Sequence, residues 1–65
     1  RVMDAWQIAV LALEKGQWIE VDPAKVGKKL QSMKQWCYQM KKAERLHGEA
    51  RVFNTEDGKL IVHRV

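Results

Sequence analysis

The apolar residues of this chain change rhythm three times, and each change marks an element. Through residues 4–15, Val2, Trp6, Ala9 and Leu13 recur at spacings of four, three and four, which is the period of one helix face. Gly16 follows as the expected C-cap. Ile8, Val10 and Leu11 widen the apolar surface beyond one stripe, so this helix is expected to be buried on more than one side or to meet a partner. Residues 17–21 place polar Gln17 and Glu20 around Trp18 and Ile19, a short β-forming run expected to be an edge or third strand. Asp22 before Pro23 is a helix start: Asp caps exposed N–H groups and Pro suits the first helical position.

Residues 23–46 admit two readings. Val26, Leu30, Met33, Cys37 and Met40 repeat at four, three, four and three, which one continuous helix satisfies. Against continuity, Ser32-Met33-Lys34-Gln35 has the form of a capping box, with Ser32 capping a new helix, and Gly27 weakens the first half. The break is expected at Gln31 to Ser32. Beyond His47 and Gly48, residues 50–53 and 60–65 are apolar and β-branched, joined by Asn54-Thr55-Glu56-Asp57-Gly58, whose Asp-Gly pair signals a hairpin. The predicted order is helix, strand, helix, helix, strand, turn, strand, an α+β class.

Composition narrows this pattern to one small domain. A chain of 65 residues buries only about 60% of the surface its unfolded form exposes, so nearly every large apolar residue is needed inside. Hydrophobic residues at 46% and charged residues at 31% exclude a disordered tail, and Trp6, Trp18 and Trp36 supply large burial areas. The single domain covers residues 1–65. Its start at Arg1 without a Met is read as a fragment or processed product. Cys37 is the one cysteine, so no internal disulfide forms and an intracellular setting is expected. The longest apolar run, residues 8–13, is far below the roughly 20 residues of a membrane span, and no membrane association is expected.

Charge then singles out one segment. The formal net charge is +4, but residues 23–46 hold seven Lys and Arg against the single acid Glu44, for +6, while the remainder holds five against seven acids, for −2. Such asymmetry is the electrostatic footprint of a polyanion-binding element; a solvated face without a partner has the same appearance. At 100° per residue, Gln31, Lys34, Tyr38, Lys41 and Arg45 share one stripe, flanked by Gln35 and Lys42, with Met33, Trp36, Cys37 and Met40 opposite. Lys and Arg neutralise phosphates, Gln pairs bidentately with adenine, and Tyr bonds a phosphate or stacks on a base.

The element order, with a basic third helix feeding a C-terminal hairpin, resembles the winged helix-turn-helix family of DNA-binding domains. The resemblance covers the whole chain at the level of element order, without a family-specific motif. It implies a transcription regulator in which residues 32–46 form the major-groove recognition helix and residues 54–58 the wing tip. Lys28, Lys29, Lys41, Lys42 and Arg45 would then contact phosphates, and Lys34, Gln35 and Tyr38 would lie nearest base edges. Two departures stand out: no glycine occurs in the expected turn near Gln31, and the wing tip carries Glu56 and Asp57 where phosphate contact favours cations. Arg51, Lys59 and Arg64 either extend the patch or simply keep the strands soluble.

Other classes remain. A protein-interaction module would use Ile8 and Leu11 to dock an acidic partner or a second copy of the chain, forming a homodimer. A binder of single-stranded nucleic acid or RNA would use the hairpin and Phe53. Trp18 is expected to close one end of the core, the other reading being a partner hot spot. Cys37 reads as a small buried hydrophobe. With His47 and His63 isolated, no metal spacing exists, and no Gly-rich phosphate loop, nucleophile elbow or paired-carboxylate motif occurs. No enzyme, cofactor or metal site is expected.

Overall fold

The starts of the first two helices follow from a few local bonds. The computed structural model describes residues 2–43, 46 and 49–65. Helix α1 spans Ala5–Leu11, and its entry is fixed by the Gln7 side chain, which accepts the Asp4 N–H at 2.8 Å. Strand β1 spans Trp18–Val21. Helix α2, Pro23–Val26, starts as its sequence dictates: Asp22 Oδ1 accepts the Ala24 N–H at 3.1 Å and Pro23 takes the first position. Helix α3 spans Leu30–Lys42, and strands β2 (Ala50–Asn54) and β3 (Leu60–Arg64) form the hairpin.

The first helix stops well before Lys15, and Gly16 does not cap it. Leu13 has to turn into the core, where it is 8% exposed, and Arg64 Nη1 donates to its carbonyl at 2.6 Å. A turn then closes, with Gln17 N–H donating to the Glu14 carbonyl at 2.9 Å. Gly16, at φ +89°, donates its N–H to Arg64 and so begins the approach to the sheet. The buried stripe of α1 also differs from the expected one. Trp6 and Val10 face the core, whereas Val2 is 94% exposed and precedes the helix.

The segment from Pro23 is two helices, but the break lies at Gly27 and not at Gln31 to Ser32. Gly27 takes the left-handed conformation, φ +66° and ψ 30°, and its N–H donates to the Pro23 carbonyl, which terminates α2. Lys29 is the extended residue from which α3 begins, and Ser32 is an exposed residue inside its first turn. A left-handed glycine upstream thus ends α2 before the Ser32 capping box is reached. The glycine missing from the expected turn is present four residues earlier.

The three strands form an antiparallel sheet in the order β1-β3-β2, so β1 is an edge strand as its shortness implies. Register separates its two faces. Val21, Leu60 and Asn54 form one inner row, and Ile19, Val62 and Val52 the next. The core consists of Val21, Leu60, Val62 and Ala50 with Trp6, Val10, Leu13, Met33, Cys37 and Leu46. Helix α3 lies over β2 and β3 on this inner side. Trp6 and Trp36 meet edge to face at 5.1 Å, a favoured aromatic geometry. Trp18 departs from its expected place: its register puts it on the outer face, where it is 63% exposed. The described residues form a small α+β domain with three helices and a three-stranded antiparallel sheet.

Candidate nucleic-acid interface

Helix α3 has two sides of opposite character. Met33 and Cys37 are buried against the sheet, with Leu30, Trp36 and Met40 packed around them. Burial holds the Cys37 thiol in its neutral form and pushes its pKa up to about 11, so this cysteine is an apolar core residue and not a nucleophile. On the far side Gln31, Gln35, Tyr38, Lys41 and Lys42 are all exposed. With the buried side as reference, helical spacing puts Gln31, Gln35, Tyr38 and Lys42 on the outward midline. Lys34 and Lys41, two turns apart, sit on the flank nearest the hairpin.

Lys34 is half-buried there, and its Nζ donates to Asn54 Oδ1 at 3.2 Å. Asn54 ends β2 on the inner face of the sheet, so this bond ties the helix to the base of the hairpin. Lys34 and Asn54 lie twenty residues apart in sequence, and no local pattern signals their meeting. Lys28 is exposed but lies 3.9 Å from Asp4, at the mouth of a cleft of about 570 Å³ bordered by Gln7, Trp36 and Met40. Lys29 is exposed at the start of α3, and neither it nor Lys25 has an acidic partner among the described residues. Arg45 and His47 lie outside the described residues.

The hairpin cations do not extend the α3 patch. Arg64 points inward and is bonded to Leu13, and Arg51 belongs to the outer face of the sheet. Lys59 lies 3.8 Å from Glu20 and 3.5 Å from Asp57. Within the turn at residues 54–58, the Thr55 hydroxyl donates to the Asp57 carboxylate and accepts the Lys59 N–H at 3.0 Å. The Thr55 bond, Asp57's own backbone N–H and Lys59 hold the Asp57 carboxyl below the usual carboxylate range. Asp57 therefore shapes the turn, and both it and Glu56 stay exposed at the tip.

Ile8 is 54% exposed on α1, whereas its expected companion Leu11 packs against the core. Among the described residues, no group of three or more His, Cys, Asp or Glu side chains is placed to hold a metal ion, and no helix is long and apolar enough to cross a membrane. What the α3 surface offers chemically is hydrogen-bonding amides and a phenol bordered by ammonium groups, a set suited to a polyanion with readable edges. Comparison with protein-family models, with curated proteins and with solved structures finds no match to this chain.

Proposed function

We propose that this chain is a duplex-DNA-binding domain of winged helix-turn-helix type, acting in transcription regulation, with α3 entering the major groove. The observation that carries the reading is the pair of helices α2 and α3, joined through left-handed Gly27, with an exposed Gln31, Gln35, Tyr38 and Lys42 surface on the second helix. The strand order β1-β3-β2, with the hairpin bonded to α3 through Lys34 and Asn54, agrees with it. In this arrangement Gln31, Gln35 and Tyr38 face base edges, while Lys29, Lys41 and Lys42 meet phosphates. Lys28 contributes less because Asp4 lies beside it. The acidic tip keeps the wing away from the backbone.

Salt dependence tests this directly. Neutralising three phosphates through Lys29, Lys41 and Lys42 makes duplex affinity fall roughly 40-fold between about 50 and 200 mM salt. Titration of a labelled duplex by fluorescence anisotropy across that range reads the slope. A flat response, or no binding at the low-salt end, overturns the proposal. The exposure of Ile8 favours one second reading, a protein partner docked on α1. Replacing Ile8 with Ser and measuring sedimentation and partner capture separates it, since the duplex titration is then unchanged.

A further inference from the structure

The outer face of the sheet, turned away from α3, carries side chains that the DNA-binding reading does not use. Cross-strand register assembles them into two rows. Trp18, His63 and Arg51 face one another across β1, β3 and β2, and Glu20, Ile61 and Phe53 form the adjacent row. Trp18 is 63% exposed and Phe53 48%. They occupy opposite edge strands in different rows, so their backbone positions lie diagonally, about 12 Å apart from the usual sheet spacings. Ile61 sits between Phe53 and Glu20 and is buried, yet it does not belong to the main core, which gives the platform an apolar floor.

We infer that this outer face binds single-stranded nucleic acid, with bases stacking on Trp18 and Phe53 and the strand's phosphates drawn to Arg51. All three members of the first row present a flat π system: an indole, an imidazole and a guanidinium, each able to stack on a base irrespective of its identity. Charge points the same way. Within the two rows the one acid, Glu20, is paired with Lys59 at 3.8 Å, so their remaining charge is the cation Arg51. A protein core docking here would strip water from Arg51 and His63, and the face supplies nothing to compensate them. A phosphate-bearing strand compensates Arg51 and leaves its edges wet. The inference rests on the register, exposure and charge of this face, and it survives or fails independently of the α3 reading, because α3 lies on the other side of the sheet.

The test is anisotropy of a short labelled oligothymidylate, chosen because it forms no duplex, with the full chain at low salt. Trp18→Ala and Phe53→Ala each lower single-strand affinity roughly 5- to 150-fold, the range expected for one lost base-stacking contact. Duplex affinity stays unchanged in both. Because both rings are exposed, thermal unfolding of the variants stays near that of the parent chain. Two milder substitutions guard the result against a folding defect. Trp18→Phe keeps a stacking face and retains most of the affinity, whereas Trp18→Leu keeps apolar area without a ring and loses it. The inference is overturned if oligothymidylate does not bind, if Trp18→Leu binds as well as Trp18→Phe, or if sedimentation shows a self-associated chain that Trp18→Ala dissociates.

Discussion

The two sides of α3 are built from neighbouring residues and are held by different physics. Met33 and Cys37 are 1% and 0% exposed and make the helix part of the core. Gln35 and Tyr38, each only one or two positions away, are exposed on the opposite side. One side therefore sets where the helix lies and the other what it presents. Stability and binding should come apart when the two sides are substituted separately.

The largest effect is expected inside. Met33→Ala leaves a cavity in a small core and costs about 2–5 kcal/mol of stability, read by urea denaturation. Replacing Lys29, Lys41 and Lys42 together with Ala on the outer side changes stability by no more than about 0.5 kcal/mol per site, yet reduces the log–log salt slope of duplex binding by about three. If the triple change unfolds the chain, or leaves the slope untouched, the division of labour across α3 is wrong. The next effect is alkaline. The core favours the neutral thiol of Cys37, so its stabilisation is complete below the ordinary thiol pKa of 9.0 and is lost as pH rises from there to about 11, the window in which unfolded chains ionise and folded ones largely do not. At most about 2–3 kcal/mol is involved. Cys37→Ala removes that slope from a plot of unfolding free energy against pH, while Tyr38→Phe on the outer side leaves the Cys37 contribution in place.

Local chemistry made much of this fold legible. The Asp22-Pro23 start, the hairpin around Asp57-Gly58 and the apolar seam of Leu30, Met33, Cys37 and Met40 all act through neighbours in sequence, and all three appear in the structure. What sequence could not rank was competition between local signals. The Ser32 capping box and Gly27 both offered a helix boundary, and the left-handed glycine prevailed because it ends α2 outright. The early end of α1 was hidden for a different reason: it depends on Arg64, 51 residues from Leu13. Of the α3 surface, the residue types and their common side were readable, but its midline was not. Lys34 looked central until the hairpin supplied Asn54. Trp18 was misplaced because a strand of four residues takes its facing from register, and register is a property of the assembled sheet.

The same competition yields the smallest and most local prediction. Gly27 is open to a side chain, since a Cβ built there meets no atom within 4 Å, so any cost of substitution comes from its backbone conformation and not from crowding. At φ +66°, Gly27→Ala is expected to cost about 1–2 kcal/mol in thermal or urea unfolding, whereas Gly27→Asn costs a smaller part of that because Asn tolerates the left-handed region. Both substitutions sit between α2 and α3 and touch neither side of the long helix. Their amide shifts should therefore stay near residues 23–30, with the core and the outward face of α3 unmoved. An Ala variant as stable as the parent chain would show that the turn does not need its left-handed glycine. In that case the chain could close the break further on, at Ser32, which would lengthen α2 and turn the Gln31 side chain away from the surface it now shares with Gln35 and Tyr38.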